Sequence, residues 1–443
     1  MSLASFRHGV HPAEHKDDSA GLPIERMPFV ARYVLPLAQH GGKPAVAEVA
    51  VGQRVTRGSR IARADGFVSA ALHAPVTGTI QALGLRRHPN GSQVPSIEIE
   101  ADPYDPQSPP GGAAMDPGSL GPDAFVAAVQ SGGIVGLGGA AFPAHVKYAV
   151  PADRPVHELV VNGCECEPYL TCDHRTMVER AADVVRGVRI LARHLGVERS
   201  TIAVEANKPD AIAALQGVLR DVLAGDAGIA VVPLAVKYPQ GAEKMLLKAL
   251  SGREVPPGKL PLDLGFVVNN VGTMVALADW FDRRMPLIER VITVAGPGVE
   301  RPANLVVPLG TPVGEVLDRC GLSRATREVV LGGPMMGQPL ASLDAPVLKG
   351  TSGILAFTDA EVARPNEYTC LKCGRCLEAC ANLLNPSRLA RLARAGRLDE
   401  LERAYVMDCM ECGACSFACP SHIPIVQLIR AAKSSLRDRK AKG

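Results

Sequence analysis

The sequence has no long hydrophobic runs. It contains no stretch of about 18 or more apolar residues, so a membrane-spanning helix is not expected. The N-terminal segment, MSLASFRHGVHPAEHKDD, also lacks the apolar core that a signal peptide needs. These absences predict a protein that lies in the cytoplasm or is attached to a membrane from the cytoplasmic side.

A large charge of one sign is missing as well. The chain has 48 basic and 45 acidic residues, which give a formal net charge of +3. Because nucleic-acid-binding proteins usually carry a clear positive excess, this balance argues against a nucleic-acid partner. The length of 443 residues suggests roughly three domains, and a hydrophobic content of 47% can supply several packed cores.

Two cysteine runs near the C-terminus carry the strongest signal. Both have the spacing C-x2-C-x2-C-x3-C, and each cysteine of the second run lies 39 residues after its counterpart in the first. Soft thiolate ligands suit iron-sulfur clusters, and this spacing is typical of ferredoxins with two clusters. Structural zinc and disulfides are the alternatives, but zinc sites usually have two separated pairs. The eight cysteines are Cys370, Cys373, Cys376, Cys380, Cys409, Cys412, Cys415 and Cys419.

In such ferredoxins the fourth cysteine of each run binds the other cluster. We therefore expect one 4Fe-4S cluster on the first three cysteines of the first run and Cys419, and a second on the first three cysteines of the second run and Cys380. Pro420 follows Cys419, as the motif requires, whereas Ala381 follows Cys380. The motif thus predicts the turn after the second run better than the turn after the first.

The N-terminal quarter of the chain predicts an all-β sandwich. Short β-like runs separated by glycine turns fill residues 29–100, and the phrases VGQRVTRGSRIA and HAPVTGTI resemble the lipoyl and biotinyl carriers. Since no lysine occurs between Arg57 and Gln81, the resemblance extends to shape and not to a carried group. We place this domain, with an N-terminal arm, at residues 1–101, and a Pro- and Gly-rich linker at residues 102–121.

The rest of the chain predicts a multidomain α/β protein. ELVVNG, STIAVEAN and GIAVVPL are short apolar strands, and TMVERAADVVRGVRILARHLG has apolar residues at helical spacing. This alternation predicts a Rossmann-like α/β domain with a mainly parallel sheet at residues 122–285. Residues 286–345 predict a small β-grasp-like α+β module, with Met335 and Met336 in its core, and residues 360–435 predict a helical, ferredoxin-like two-cluster domain.

A glycine-rich phrase in the α/β domain is a candidate phosphate site. The phrase GGIVGLGGAAFPAHVKYAV contains Gly136, Gly138 and Gly139 ahead of Phe142 and Lys147. Glycine-rich backbone before a helix can cradle phosphate, and the lysine adds a positive charge. The strand expected before a dinucleotide-binding turn is missing, so a plain flexible turn is an equal alternative.

Three other phrases place polar groups directly after predicted strands. They are VVNGCECEPYLTCDHR, YPQGAEKML and VVNNVGT. Because ligands of open α/β sheets bind at the carboxyl ends of the strands, we expect these groups to share one crevice. Asn162 can donate and accept hydrogen bonds at a flavin edge, and the carboxylates of Glu165 and Glu167 can accept from ribityl or ribose hydroxyls. The alternative is a polar loop that caps the next helix.

Together these phrases resemble the C subunits of Rnf-type NADH:ferredoxin oxidoreductases, the ion-pumping respiratory complexes of bacteria. The resemblance runs from FRHGVHPAEHK through GLGGAAFP, ECEPYLTCD, YPQGAEK, REVPPGKLP, NNVGT and GGPMMG to the two cysteine runs, and so spans nearly the whole chain. The middle part is similar to the flavin- and NADH-binding subunit of respiratory complex I. His8, Ala141 and Ala381 depart from the family pattern.

The resemblance implies FMN between the glycine-rich loop and the turns at residues 162–167 and 269–273, with NADH stacked on the flavin. The residues implied in binding FMN or NADH are Gly136, Gly138, Gly139, Phe142, Lys147, Asn162, Glu165, Glu167, Tyr238, Gly241, Glu243, Asn269, Asn270 and Thr273. No side chain is required as a general base.

These expectations describe an NADH-dependent oxidoreductase subunit. NADH delivers two electrons as hydride, a cluster accepts one electron at a time, and a flavin can mediate between them. The subunit would pass electrons from FMN through two 4Fe-4S clusters to partner subunits of a membrane complex, lying peripherally on the cytoplasmic side of the inner membrane. A flavin- and cluster-dependent cobalamin reductase and a non-catalytic cluster adaptor are the alternatives. The N-terminal β module with its HP-x3-K arm favours the Rnf-type subunit over the reductase.

Overall fold

The computed structural model describes residues 3–222, 228–362 and 366–442. The N-terminal part contains α1 (Asp17–Ala20), β1 (Ile24–Arg26), β2 (Arg32–Pro36), β3 (Val46–Ala47), β4 (Arg54–Val55), β5 (Arg60–Arg63), β6 (Leu72–His73), β7 (Gly78–Arg87) and β8 (Gln93–Ala101). Antiparallel pairing gives one sheet in the order β2-β8-β7-β4 and another in the order β3-β5-β6. Tyr33, Ile61 and Ile80 are wholly buried in the core of this predicted β sandwich.

The segment after the sandwich, residues 102–121, packs against it. Gln107 is buried, and its side-chain Nε2 donates to the carbonyl of Thr77 at 3.0 Å while the Thr77 amide donates back to Oε1 at 2.7 Å. Arg57 donates to the Gln107 carbonyl at 3.0 Å and forms an ion pair with Glu289 at 2.5 Å. The segment predicted as a linker therefore takes part in holding the sandwich to the following modules.

The central domain is built around a parallel sheet, as predicted. Its elements are α2 (Pro122–Ser131), α3 (Ala144–Tyr148), β9 (Glu158–Gly163), α4 (Cys172–Glu179), α5 (Ala181–Leu195), β10 (Ser200–Glu205), α6 (Pro209–Val222), β11 (Ile229–Leu234), α7 (Glu243–Ser251), β12 (Phe266–Asn270) and α8 (Val271–Arg283). The strand order is β11-β10-β9-β12. Helices α5, α6 and α8 bury one face and α7 the other. The chain order reverses between β9 and β12, where open α/β sheets bind ligands.

The third module is an α+β unit that takes strands from beyond residues 286–345. It contains β13 (Glu289–Ala295), β14 (Ala303–Pro308), α9 (Val313–Cys320), β15 (Thr326–Leu331), β16 (Gln338–Pro339), β17 (Gly353–Thr358) and α10 (Asp359–Val362). The sheet order is β1-β14-β13-β17-β15-β16, so the N-terminal strand β1 forms one edge. Leu317 of α9 packs onto Ile292 and Leu305 because these apolar side chains share one buried face.

The C-terminal domain is helical, as predicted; residues 363–365 of its predicted range lie outside the described residues. Its helices are α11 (Arg375–Ala379), α12 (Pro386–Arg394), α13 (Leu398–Arg403), α14 (Ala414–Phe417) and α15 (Ile425–Lys442). Leu389, Leu401 and Ile429 form its core. Across the described ranges, no helix has both the length and the apolar character needed to cross a membrane.

Lys349 connects three parts of the molecule. Its fully buried ammonium group donates to the carbonyl of Ala71 in the sandwich at 2.7 Å and to that of Gly133 in the α/β domain at 2.6 Å. Its own carbonyl accepts from Arg290. Because burial removes the hydration of the charged form, the pKa of Lys349 falls to about 7.

We expect the stability advantage of the parent over a Lys349→Met variant to grow as pH rises above about 7. The unfolded lysine titrates near 10.5, so between these two pKa values the unfolded chain binds more protons than the folded chain. The parent's free energy of unfolding therefore rises with pH over this window, and methionine has no such dependence. Thermal unfolding midpoints of both proteins across the window measure the difference. A difference that stays constant would contradict the lowered pKa.

Candidate functional site

A crevice with a volume of about 380 Å³ lies at the carboxyl edge of the parallel sheet, at the ends of β9 and β12. Most of the predicted cofactor residues meet here, although they come from four separate segments. The members of that set that line the crevice are Gly136, Gly138, Phe142, Lys147, Asn162, Glu165, Glu167, Tyr238, Gly241, Glu243, Asn269 and Asn270. Two members of the set do not line the crevice. Gly139 is exposed, and Thr273 is buried beneath the lining residues.

The glycine-rich loop follows helix α2 instead of a strand, so it is not a dinucleotide-binding turn. Its backbone is held from below, because the Leu137 amide donates to the Thr273 hydroxyl at 3.0 Å and Arg290 donates to the Leu137 carbonyl at 3.1 Å. Ala141 is buried with a φ of 48°, outside the crevice lining and with its side chain near Gly350. This departure from the family pattern therefore does not narrow the crevice.

Asn162 and Glu165 face the crevice, yet their polar atoms are engaged within the protein. Asn162 donates to the Gly241 carbonyl at 2.8 Å and accepts from the Cys164 amide at 3.0 Å. The Glu165 carboxylate accepts from the first backbone amides of α4, those of Asp173 at 2.8 Å and His174 at 3.2 Å. Glu165 thus does what the capping alternative predicts, because a carboxylate satisfies unpaired amides at a helix N-terminus.

Glu167 and Tyr238 form the wall of the crevice nearest the C-terminal domain. Glu167 accepts from the Met335 amide at 3.0 Å, and the Tyr238 hydroxyl lies 3.4 Å from its other oxygen. Burial raises the pKa of Glu167 to about 7, although hydrogen bonds from the backbone of Met335 and Met336 favour the charged form. Tyr238 also donates to the carbonyl of Cys412 at 2.6 Å, so this wall touches the second cysteine run.

Another part of the crevice lining offers a positive charge and an unused donor. Lys147 pairs with Glu243 at 2.9 Å and donates to the Val268 carbonyl at 3.0 Å. The Asn269 oxygen accepts from the Tyr148 hydroxyl at 2.9 Å, but its buried amide nitrogen has no protein partner. A buried donor without a partner is unfavourable unless a ligand accepts from it. Gly136 and Gly138 of the glycine-rich loop have no side chains that would fill the crevice. With this free donor, the crevice therefore fits a flavin nucleotide.

Asp173, Met336 and Met410 are among the crevice-lining residues that sequence reasoning missed. Asp173, in the quoted phrase ECEPYLTCD, accepts from Asn270 at 2.6 Å, and burial together with the nearby Glu165 raises its pKa above the usual range of an aspartate. Met336 belongs to the third module and Met410 to the C-terminal domain, and both side chains line the crevice. The prediction that Met336 is a core residue is wrong, because its side chain is 44% exposed at the rim. Only the position of Asp173 in that phrase was a usable signal.

The two cysteine runs have the same backbone conformation. Three pairs of residues separated by the repeat length all adopt positive φ, a left-handed region that non-glycine residues enter only when the surroundings demand it. Each glycine of the set begins the short helix inside its run. The pairs are Lys372 and Glu411, Gly374 and Gly413, and Leu383 and His422.

The turn after Cys380 matches the turn after Cys419 although it lacks the proline. The amide of Leu383 donates to the Cys380 carbonyl at 3.0 Å, and that of His422 donates to the Cys419 carbonyl at 3.1 Å. The turn after Cys380 therefore has the same hydrogen bond as its counterpart, with Ala381 in place of the proline.

One cavity in the C-terminal domain is lined by four thiols from both runs, those of Cys380, Cys409, Cys412 and Cys415. This is the crossed ligand set that the spacing predicts for the second cluster. Burial and the neighbouring thiols raise the pKa of Cys412 to about 11 and of Cys415 to about 12. Four thiols converging in one buried place fit a metal cluster, because binding of iron stabilises the thiolate form.

This cluster cavity adjoins the crevice. Met410 lines both, and the hydrogen bond from Tyr238 to Cys412 joins the crevice wall to the loop that supplies the thiols. Cys373, assigned to the other cluster, is exposed. The two predicted clusters are therefore inequivalent, one beside the crevice and one toward the surface.

We expect Asn269→Ala to weaken FMN binding by roughly 5- to 150-fold, since one buried hydrogen bond, worth about 1–3 kcal/mol, is lost. Titration of flavin-free protein with FMN, followed by flavin fluorescence, measures the affinity. Tyr148→Phe is the matched control, because it removes the partner of the Asn269 oxygen and leaves the amide nitrogen in place. Equal FMN affinity in Asn269→Ala and the parent would contradict this role.

Models of known protein families match four consecutive parts of the chain. A barrel sandwich hybrid domain described for RnfC matches residues 4–104, and the FMN-binding domain described for Nuo51 matches residues 129–279. An SLBB domain matches residues 291–339, and a 4Fe-4S dicluster domain matches residues 369–424. These matches confirm the predicted fold classes and the predicted pairing of an FMN-binding domain with a two-cluster domain.

Known relatives match over nearly the whole chain. The C subunit of the "proton-translocating ferredoxin:NAD(+) oxidoreductase complex" of Clostridium ljungdahlii is 43% identical, with 98% of this chain and 94% of the relative covered. The "Na(+)-translocating" counterpart from Acetobacterium woodii is 41% identical, with 99% and 98% covered.

A solved NAD+-reducing NiFe hydrogenase shares the fold, with a TM-score of 0.53 and 21% identity over 72% of this chain and 62% of that one. The whole-chain identity to the two relatives, joined with the match to the RnfC sandwich, decides against the cobalamin reductase. The chain belongs to the family of C subunits of Rnf-type ion-translocating ferredoxin:NAD(+) oxidoreductases.

Proposed function

We propose that this subunit oxidises NADH at the crevice and passes the electrons one at a time through its two clusters to partner subunits of a membrane complex. The protein lies peripherally on the cytoplasmic side of the inner membrane in this proposal. Membership of the family, the crevice at the edge of the parallel sheet and the two cysteine runs support it.

The contact between the crevice and one cluster site carries the proposal. Met410 and Tyr238 lie between the crevice and the cavity lined by Cys380, Cys409, Cys412 and Cys415. We call the cluster expected there the near cluster, and its twin the far cluster. The order of electron transfer is then NADH, flavin, near cluster, far cluster and partner.

The far cluster lies where a partner can approach it. Large apolar side chains are exposed around its ligands, with Leu371 at 70%, Tyr368 at 60% and Phe417 at 56% exposure. Exposed apolar groups of this size favour burial against another protein. This face is the proposed exit toward the next subunit.

The residues of the crevice bind and orient the cofactors in this proposal. Bound FMN supplies the conversion between hydride transfer and single-electron transfer. Gly138 allows the backbone to approach the nucleotide, the Asn269 amide donates a hydrogen bond, and Lys147 provides positive charge near the phosphate. Glu167, with its pKa near 7, avoids placing a full negative charge beside the electron-rich reduced flavin and NADH.

We also propose that other subunits select the ion that the complex moves. The two relatives described above have nearly the same identity to this chain, yet their names specify protons in one case and sodium in the other. A chain that is about equally similar to both relatives does not itself distinguish the two ions, which favours selection of the ion elsewhere in the complex.

We expect anaerobically purified protein supplied with FMN to hold about eight iron atoms per chain and to lose its cluster absorbance when NADH is added. The measurements are iron analysis and visible spectroscopy under anoxic conditions. An adaptor without a nucleotide site would keep its clusters oxidised. Bleaching by dithionite but not by NADH would therefore refute the proposed activity.

The order of the clusters predicts different results for two matched variants. Cys380→Ala removes a ligand of the near cluster, so NADH should reduce the flavin but leave the far cluster oxidised. Cys370→Ala removes a ligand of the far cluster, so NADH should still reduce the near one. Each variant should retain about four iron atoms. Reduction of the remaining cluster at the parent's rate in Cys380→Ala would overturn the order.

A further inference from the structure

The N-terminal arm, defined as residues 4–16, lies along the junction of the flavin-binding domain and the cluster domain. Ala4 pairs with Leu234 at the end of β11, in parallel. Val10 pairs with Tyr238 in antiparallel fashion, and each backbone amide donates to the other's carbonyl at 2.9 Å. The arm is therefore attached to the segment that supplies the crevice wall.

Alternate residues of the arm contact the cluster domain. Phe6 is buried with Met245 and Ala381, the residue after the near-cluster ligand Cys380. Val10 packs into the apolar cluster that holds Tyr238 together with Ala379 and Ala414. Between these two contacts, His8 places its ring nitrogen Nδ1 at 3.0 Å from the carbonyl of Leu377.

The carbonyl that His8 contacts belongs to helix α11. This helix contains Cys376, a ligand of the far cluster, and ends next to Cys380, a ligand of the near cluster. Since a carbonyl only accepts, Nδ1 carries the proton and donates. A single side chain from the first ten residues thus holds the element that connects both ligand sets.

The backbone of His8 has an unfavourable conformation that contacts with the rest of the protein must hold in place. Its φ is 67°, a left-handed conformation that a side chain with a Cβ adopts at a cost in energy. Gly9 follows with a φ of 92°, and a Cβ there would come within 2.6 Å of the Tyr238 carbonyl. The two residues together turn the arm so that His8 reaches α11 while Val10 pairs with Tyr238.

We propose that His8 is a positioning residue for electron transfer. It fixes helix α11 to the flavin-binding domain and thereby sets the distance between the near cluster and the crevice. The proposal rests on the proposed function, because it assigns a role within the route from flavin to near cluster. His8 touches neither the crevice nor the thiols, so hydride transfer from NADH is independent of it.

Three variants test this role in the full chain loaded with clusters and FMN. His8→Gly relaxes the backbone and removes the donor. His8→Asn keeps a residue that tolerates positive φ, and its amide nitrogen occupies the position of Nδ1. Arg7→Ala changes the exposed neighbouring side chain and serves as the control.

Rapid mixing with NADH separates the two steps. We expect the rate of flavin reduction and the KM for NADH to be the same in all variants. The rate of cluster bleaching should fall in His8→Gly and recover in His8→Asn, and Arg7→Ala should match the parent. Equal bleaching rates in His8→Gly and the parent, or no recovery with asparagine, would overturn the proposal.

Hydrogen exchange gives a readout that does not depend on activity. Loss of one hydrogen bond should make the Val10 and Tyr238 amides exchange about fivefold faster in His8→Gly than in His8→Asn, since both glycine and asparagine tolerate the positive φ. Equal exchange in these two variants would contradict the contact of His8 with α11. If the parent itself fails to reduce its flavin with NADH, the proposed function is wrong, while the exchange result still decides whether His8 holds the arm.

Discussion

The hydrogen bond from the Tyr238 hydroxyl to the Cys412 carbonyl is the contact on which the arrangement of the molecule depends. Tyr238 belongs to the parallel-sheet domain and Cys412 to the second cysteine run, so this bond joins the cofactor crevice to the cluster domain. Met410 lines both the crevice and the cavity of the near cluster. A hydroxyl buried at such a junction requires an acceptor, and the loop around the cluster supplies one. This hydrogen bond therefore holds the two redox sites beside each other.

The crevice itself is assembled from parts that satisfy one another before any cofactor binds. Asn162 donates to the Gly241 carbonyl, and Glu165 caps helix α4. The Thr273 hydroxyl accepts a hydrogen bond from the glycine-rich turn. Such internal pairing leaves few polar atoms free, and the Asn269 amide is one of them. A rigid frame with a small number of unused donors favours a specific ligand, because the protein need not reorganise to bind it.

The fold was largely predictable, and particular residues show why. The predicted strands ELVVNG, STIAVEAN and GIAVVPL correspond to β9, β10 and β11, although β10 ends two residues before its predicted run and β11 begins one residue after its own. The buried strands β9 and β10 are continuous apolar runs, as expected for strands covered on both faces. The crevice residues followed from the rule that ligands meet the carboxyl ends of such strands. The role of Glu165 could not be decided from sequence. Helix capping and ligand binding both require a carboxylate that accepts hydrogen bonds. Met336 was misassigned, since hydrophobicity alone does not distinguish a core side chain from one at a rim.

The sequence by itself determined the ligand chemistry of this protein. Thiolate spacing is local, so two runs of C-x2-C-x2-C-x3-C specify two clusters wherever the domain sits. Only the tertiary structure decided which cluster adjoins the flavin crevice and how the N-terminal arm reaches α11. Those facts depend on contacts between residues far apart in the chain, such as His8 with Leu377, 369 positions away, and Tyr238 with Cys412, 174 positions away. No local pattern encodes such contacts, because they arise when the separate apolar faces pack together.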